Sequence, residues 1–178
     1  MNGASEYLTF PKSFNLAARN FTIEAWHRWN GWSSGSGAIQ HGWTVGYNTS
    51  NGWSGIHLQG TRFNGALTIT VNTVNGTPAL TLQLVGLGQA KPDSDYFHLA
   101  VLRDDGELRG YLNGKLAGSV AIGNGVLHEG NVIRLANSSN AQQPGCALDE
   151  MRIVMDQALY TGSSFTVPSG PFPNPVIG

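Results

Sequence analysis

The sequence predicts an all-β fold, and its composition, its short alternating runs and its turn signals support this class. Charged residues make up only 12% of the 178 residues, against about a quarter in an average globular protein. Glycine is frequent, with 24 residues. Low charge with abundant Gly, Ser, Thr and Asn is typical of short strands joined by tight turns. No stretch of a dozen residues has the apolar period of an amphipathic helix.

Short runs with a two-residue apolar period predict individual strands. In residues 21–29, Phe21, Ile23 and Ala25 share one face, and Trp26 is also expected in the core. Because a one-residue slip would reverse both faces, such patterns specify the strand register. Similar runs occur at residues 6–10 (EYLTF), 66–72 (ALTITVN) and 79–85 (ALTLQLV).

The clearest unit is a predicted three-stranded meander near the middle of the chain. Asp105-Gly106 and Asn113-Gly114 are hairpin turn signals, since both central positions of a type I′ turn need a positive φ. The meander strands are predicted at 97–103, 107–112 and 115–121, and further strands at 38–47, 54–60, 131–136 and 146–155. About a dozen short strands at this spacing indicate a sandwich or barrel. A single helical turn is predicted within residues 156–165, DQALYTGSSF.

The C-terminal segment is rich in proline, with Pro168, Pro171, Pro173 and Pro175. Proline cannot donate a hydrogen bond to a β-ladder, so residues 166–178 are predicted to form an extended strap. No domain boundary or internal repeat is visible, and the length suits one domain with a sizeable core. Residues 1–178 are therefore predicted to form a single domain.

Charge and cysteine content exclude several functional classes. The net charge is −1 and no basic run occurs, so neither nucleic acid nor an anionic membrane is an expected partner. Cys146 is the one cysteine, which rules out an intrachain disulfide and a zinc cluster. The N-terminus has no basic region followed by an apolar stretch, so no signal peptide is predicted.

No cofactor and no metal site are predicted, with calcium kept as an open alternative. The five histidines form neither an H-x-H nor an H-E-x-x-H pattern. Calcium needs six to eight oxygen ligands. The neutral oxygens near Gly145 come from Asn137, Asn140 and Gln142.

Tryptophans supply the strongest hint of a binding site. All five lie between residues 26 and 53, and three of them stand among Gly, Ser and Asn residues, which cannot easily bury an indole. Exposed aromatic faces suit the apolar face of a sugar ring or a protein partner. The predicted ligand-contacting set is Trp32, Trp43, Tyr47, Trp53 and His57, with a core position as the alternative for Trp32, Trp43 and Trp53.

Four segments, in this order, resemble a known family: FTIEAWHRW, DYFHLAVLRDDGELRGYLNGKLAGS, IRLAN and ALDEMRIVMDQALYTGSSFTVPSGPFP. Together they resemble the concanavalin A-like lectin/glucanase jelly roll in its laminin-G-like branch, over about residues 5–173. The resemblance implies a two-sheet antiparallel jelly-roll sandwich. The last segment is similar to the version found in bacteriophage virion and tail proteins. The matching positions are Asp149, Glu150, Arg152, Tyr160, Thr161, Gly162, Phe165, Pro168 and Phe172, while Leu159 replaces the usual arginine.

Adjacent acids in this motif, Asp149 and Glu150, raise the question of catalysis. The hydrolase branch of the fold carries acids at alternating strand positions, because only every second side chain enters the same cleft. Adjacent residues on a strand are expected to face opposite sides. We therefore expect no catalytic activity and assign the motif a structural role. Asp149 is expected to accept hydrogen bonds near the strap, and Glu150 is expected to pair with Arg152.

Two functions implied by the resemblance remain open. The first is a non-catalytic virion structural or accessory protein, in a capsid decoration, tail or fibre, that attaches to other capsid or tail subunits. The second is a free lectin-like protein that binds host-surface or environmental polysaccharide. The two can coexist, and a glycoside hydrolase is the alternative with the least support. The first implies synthesis in the host cytoplasm and a place on the virion surface. Exposed strand edges also favour a homo-oligomer.

Overall fold

The computed structural model describes residues 8–11, 15–16, 18–29, 39–47, 54–61, 67–71, 80–84, 96–127, 132–135 and 146–172. Within these ranges the chain forms eleven strands and no helix. The strands are β1 (Leu8–Pro11), β2 (Phe21–Trp29), β3 (Ile39–Tyr47), β4 (Ser54–Thr61), β5 (Leu67–Val71), β6 (Leu80–Leu84), β7 (Phe97–Asp104), β8 (Glu107–Leu112), β9 (Lys115–Ala121), β10 (Val132–Leu135) and β11 (Cys146–Met155).

These strands pair into two antiparallel sheets. One has six strands in the order β1-β10-β3-β4-β5-β6, and the other has five in the order β11-β2-β7-β8-β9. The predicted all-β, two-sheet class is confirmed. Strand β2 lies between β11 and β7, so side chains far apart in sequence become neighbours in the five-stranded sheet.

The predicted meander is confirmed, as are its two turns. Asp105 and Gly106 have φ values of 44° and 84°, and Asn113 and Gly114 have 47° and 76°. Both central positions of each turn thus occupy the left-handed region that type I′ geometry requires. This conformation is favourable for Asn and Asp as well as for Gly.

The single helical turn expected in residues 156–165 is a wrong prediction. This segment contains bends and an isolated bridge between Ser164 and Lys115. Its N–H groups bond to the sheet instead of to a preceding turn. The N–H of Leu159 donates to Oγ1 of Thr22 at 2.9 Å, and that of Phe165 donates to the carbonyl of Gly114 at 2.8 Å. Tertiary contacts have replaced the local bonds of a helix.

The hydrophobic core lies between the two sheets. The alternating faces predicted from sequence point inward, and each large apolar side chain buried there contributes about 1.5–3 kcal/mol. The fully buried members include Phe21, Ile23, Trp43, Val45, Ile56, Leu58, Ile69, Leu99, Val101 and Leu108.

A second apolar layer covers the outer face of the five-stranded sheet. It is made by residues 156–172, hereafter the strap, which start ten positions before the predicted strap. Ala100, Leu102 and Tyr111 are fully buried beneath strap residues Tyr160 and Phe165. Strand β7 is therefore buried at every position from 97 to 103, because the core covers one face and the strap the other.

Candidate functional site

A β-bulge in β11 creates the most distinctive local geometry of the five-stranded sheet. Asp149 pairs with Trp26 and Arg152 pairs with Glu24, so the two residues between them on β11 face only Ala25 on β2. One of the two, Glu150, has a φ of 51°. A bulge inserts an extra residue, bends its strand and redirects side chains.

A cleft of about 320 Å³ opens beside this bulge. Trp26, Tyr96, Asp149 and Glu150 line it on the side of the sheet, and residues 168–171 of the strap form its opposite wall. The Trp26 side chain is half-buried, and Tyr96 is 42% exposed. The cleft thus combines two accessible aromatic rings with two carboxylates.

Both acids of the motif line this cleft, which corrects the expectation that they face opposite sides. Alternation holds only along a regular strand, and the bulge breaks it between Asp149 and Arg152. Both acidic side chains are exposed. Oε2 of Glu150 accepts a hydrogen bond from the backbone N–H of Phe172 at 3.0 Å, which ties the strap to β11.

The other two expectations for the motif are also revised. Arg152 does not pair with Glu150, because its guanidinium turns to Glu24 on the neighbouring strand. Asp149 was expected to accept hydrogen bonds near the strap. Among the described residues none donates to its side chain, which leaves both carboxylate oxygens open to the cleft and to solvent.

Glu24 is the centre of a buried polar network behind the cleft. The side chain is fully buried. Arg152 Nε donates to Oε1 at 2.9 Å, and the Tyr160 hydroxyl donates to Oε2 at 2.9 Å. His98 Nε2 lies 3.1 Å from Oε2.

Burial alone would raise the pKa of Glu24, but contacts with His98, Arg152 and Tyr160 outweigh it and lower the pKa below its usual range. Burial, followed by the neighbouring Glu24 carboxylate, raises the pKa of Tyr160 to about 12. Glu24 is therefore charged and Tyr160 is a neutral donor at physiological pH. The network ties Tyr160 of the strap to β2 and β11.

Aromatic rings pack around this network and continue toward the cleft. The Tyr160 and Phe165 rings stack with centroids 3.5 Å apart. His98 contacts Trp26 edge-on at 5.3 Å and Phe172 at 6.4 Å. Trp26 is thus held by packing on one side while its other side lines the cleft, which is the arrangement of a rigid aromatic platform.

The structure places the predicted ligand-contacting residues differently from the expectation. The ligand-contacting role predicted for Trp43 is corrected, because its side chain is fully buried in the core. His57 is half-buried between core residues Ile56 and Leu58 on β4, so strand alternation directs it to the other face of its sheet from Trp43. The two therefore do not share one site. Trp32 and Trp53 lie outside the described residues, as does the side chain of Tyr47.

Sequence reasoning missed Trp26 and Tyr96 as site residues. Trp26 was expected in the core, yet it alternates with Ile23 and Ala25 and so belongs to the outer face of β2. The alternation was a usable signal for that face. No sequence signal indicated that the strap would leave part of the ring uncovered.

Two kinds of feature, metal-binding clusters and membrane-spanning helices, were sought in the part of the chain that is described. No three His, Cys, Asp or Glu side chains there come together to hold a metal ion. Asn137, Asn140 and Gln142, considered above for calcium, lie outside that part. Within the same ranges no helix is long and apolar enough to cross a membrane.

Residues 2–159 match the family model described as the Concanavalin A-like lectin/glucanases superfamily. The chain belongs to this superfamily. The family-level resemblance seen in the sequence is thereby confirmed, whereas its phage branch stays a prediction. Among proteins with curated descriptions, none matches this sequence.

Several solved structures have a similar fold. The heptameric SAP-like pentraxin of Limulus polyphemus has 13% identity and a TM-score of 0.59, over 83% of this chain and 68% of that one. The Ruminococcus gnavus IT-sialidase CBM40 bound to α2,3-sialyllactose has 15% identity and a TM-score of 0.57, over 90% and 95%. The botulinum neurotoxin serotype D binding domain has 18% identity and a TM-score of 0.61, over 89% and 39%.

These similarities describe the fold alone, because the identities are low. The chain spans nearly the whole of the CBM40 domain but only about two fifths of the toxin binding domain. A fold shared by several functions leaves the activity to be argued from the site.

Proposed function

We propose that this protein is a non-catalytic carbohydrate-binding domain and that its ligand occupies the cleft between the β11 bulge and the strap. The observation that carries the proposal is the partly exposed Trp26 ring beside two carboxylates in one cleft of about 320 Å³. An indole face packs against the apolar face of a sugar ring. Carboxylate oxygens accept hydrogen bonds from sugar hydroxyls, and charge-assisted hydrogen bonds are the stronger ones.

The cleft is well suited to hold a small rigid ligand. Trp26 is fixed by its edge-on contact with His98, and Glu150 is fixed by its bond to the Phe172 N–H. Preorganised groups lose little conformational entropy on binding. The structure of the R. gnavus CBM40 bound to α2,3-sialyllactose supports a glycan as the ligand class for this fold.

Solvent exposure of both acids supports binding without hydrolysis. A general acid for glycoside cleavage needs a carboxyl with a raised pKa, which burial in an apolar pocket can supply. Asp149 and Glu150 are both exposed. We therefore assign both acids to hydrogen bonding with the ligand.

Replacing the aromatic platform tests this function. Binding to an oligosaccharide panel is measured by calorimetry for wild type, Trp26→Ala and Tyr96→Ala. We expect at least a fivefold loss of affinity in both variants, since truncating a central aromatic anchor costs about 1 kcal/mol or more. Phe10→Ala is the matched control, because Phe10 is 46% exposed on β1 in the other sheet.

Equal binding by wild type and both cleft variants would overturn the assignment of the site. Absence of binding to the whole panel would overturn the function itself. Hydrolysis of any panel member that Glu150→Gln abolishes would replace the binding function with a hydrolase. Tyr96→Ala keeps the test decisive if Trp26→Ala does not fold.

We also propose that the domain is carried on a phage particle, at the head, tail or fibre. The supporting observation is that the matched motif forms one connected structural unit here. Arg152 and Tyr160 both bind Glu24, Tyr160 stacks on Phe165, and Glu150 binds the Phe172 backbone. Most of the motif that resembles virion proteins thus acts together to dock the strap, although Leu159 stands where arginine is usual.

Quantitative mass spectrometry of purified particles tests the virion proposal. Hundreds of copies per particle would support a head decoration, and a few to tens would support a tail or fibre position. Complete absence from particles would overturn the proposal and leave a free lectin-like protein. Multiple copies would also strengthen weak glycan binding through avidity.

A further inference from the structure

The cleft carries negative charge that no described residue neutralises. Asp149 and Glu150 are exposed and line it together. Neither forms an ion pair within the described ranges. Arg152, two positions after Glu150, is bound to the buried Glu24 carboxylate and packs 4.3 Å from the centre of the Phe172 ring.

A second cation lies near the cleft without lining it. The Arg28 guanidinium sits 5.2 Å from the centre of the Tyr96 ring, on the same face of β2 as Trp26. Residues 168–171, which form the opposite wall, contribute only proline, serine and glycine and hence no charge. The lining residues of the cleft thus have a formal charge of −2.

We propose that the cleft selects uncharged and amine-bearing saccharides and rejects saccharides that carry carboxylate or sulfate groups. This inference rests on the proposed carbohydrate-binding function and names the class of ligand. A protonated amine on a hexosamine placed between the two acids gains two charge-assisted hydrogen bonds. A sialic or uronic acid in the same place meets two like charges.

The size of the discrimination follows from Coulomb attraction in a solvent-exposed site. A unit charge about 4 Å from one carboxylate changes the affinity by about fivefold at the dielectric constant of water. Two carboxylates at this distance therefore change the affinity by about 25-fold between a sugar with one charge and its uncharged counterpart, upward for an amine and downward for a carboxylate. Because the cleft is open to solvent, dissolved salt screens its charges. The difference in affinity should therefore shrink as salt rises from about 0.05 to about 0.5 M, which shortens the Debye length from about 14 to about 4 Å.

Matched sugar pairs test the inference on the intact protein. Calorimetry compares lactose with 3′-sialyllactose, and N-acetylated with fully deacetylated chito-oligosaccharides of equal length. For wild type we expect weaker binding of the sialylated member and tighter binding of the deacetylated member. The double variant Asp149→Asn, Glu150→Gln should lose both differences, because its amides keep the hydrogen-bond acceptors without the charge.

Asp105→Asn is the control for net charge, since Asp105 lies in the β7–β8 turn away from the cleft and Asn suits its φ of 44°. It should keep the wild-type selectivity. Equal or tighter binding of the sialylated sugar, or selectivity that survives in the double variant, would overturn the inference while leaving glycan binding intact. If wild type binds none of the four sugars or the wider panel, the proposed function fails instead.

Discussion

At the scale of single residues, Glu24 connects three segments that are distant in sequence. It faces His98 on β7, Arg152 on β11 and Tyr160 in the strap. Removing one partner of a buried ion pair leaves the other charge buried and unpaired. This lowers the free energy of unfolding by more than the intact pair adds to it. Glu24 therefore fixes where the strap begins to cover the sheet.

Removing the Tyr160 hydroxyl measures how strongly Glu24 holds the strap. Tyr160→Phe keeps the ring and its stack on Phe165 but deletes the hydrogen bond to the carboxylate. We expect the free energy of unfolding to fall by about 1.5 kcal/mol or more, because bonds to charged groups are among the stronger ones. Urea unfolding followed by tryptophan fluorescence measures the change.

Tyr96→Phe is the matched control for that measurement. It makes the same chemical change in a residue that is 42% exposed and whose hydroxyl binds no described residue. We expect a change within about 0.5 kcal/mol, as for most surface substitutions. An equal loss in the two variants would contradict the role assigned to Glu24.

Part of this network could be predicted from the sequence. Arg152 and Tyr160 were assigned to a structural motif because of the resemblance, but Glu150 was chosen as the partner of Arg152. The true partner, Glu24, is 128 positions away. It becomes the neighbour of Arg152 only after β11 pairs with β2 with a bulge in the register. Local alternation contains no information about that pairing.

At the scale of elements, the strap docks on the meander through the β8–β9 turn. Gly114 in that turn has a φ of 76°, and its carbonyl accepts the Phe165 N–H. A Cβ at this position would come within 2.9 Å of the Val167 side chain and would also clash with the Phe165 carbonyl. Gly114 is required both by the turn and by the close approach of the strap.

Gly114→Ala is expected to lower the free energy of unfolding by about 2 kcal/mol or more. About 1 kcal/mol comes from the left-handed backbone, and the rest comes from displacing the strap. Gly123→Ala is the control, since Gly123 has a φ of 53° but no atom within 4 Å of the added Cβ. Gly123→Ala should lower the free energy of unfolding only by the contribution of the left-handed backbone. Similar losses in thermal unfolding of both variants would show that strap contact adds nothing at Gly114.

Elements whose signals are local were predicted well, and those that depend on tertiary contacts were not. The meander strands and both type I′ turns follow from alternation and from the Asp-Gly and Asn-Gly pairs. The bulge at Glu150 has no such pair, because its positive φ is imposed by pairing with β2. The strap was predicted from prolines, but its first ten residues bind the sheet through aromatic and backbone contacts that prolines do not reveal.

At the scale of the whole molecule, burial of a histidine makes stability depend on pH. His27 is fully buried and stacks on Phe97 with ring centroids 5.4 Å apart. Burial lowers the pKa of His27 from 6.5 to about 3. As pH falls below 6.5 the unfolded chain binds a proton at this residue and the folded chain does not, so stability is lost.

We expect His27 to account for a loss of about 2 kcal/mol between pH 8 and pH 5. His27→Phe cannot be protonated and should show a smaller loss by about that amount in urea unfolding at the two pH values. Measurement at pH 8 supplies the control, because it reports the packing cost of the substitution alone. Equal pH dependence in wild type and variant would contradict the prediction. The pKa of Glu24 is lowered in the folded protein from its ordinary value of 4.5. Glu24 therefore stabilises the fold above about pH 4.5, and this contribution is lost at more acidic pH than that of His27.

The two-sheet architecture could be predicted because it depends on patterns repeated along the whole chain. The candidate site could not, because it forms where β2, β11 and the strap meet. Trp26 and Asp149 are 123 positions apart in sequence and become direct cross-strand partners. Tryptophan clustering in the sequence pointed instead to Trp43, whose side chain fills the core.

The position of the strap after the eleven described strands has a consequence for synthesis on the ribosome. Chains emerge from the N-terminus onward and begin to fold as they emerge. A nascent chain that ends at β11 has both sheets available but leaves Ala100, Leu102 and Tyr111 uncovered, as a surface that a chaperone can bind. The cleft acquires its second wall only when residues 168–171 have emerged from the ribosome. Glycan capture by ribosome-bound chains of increasing length should therefore appear late and abruptly.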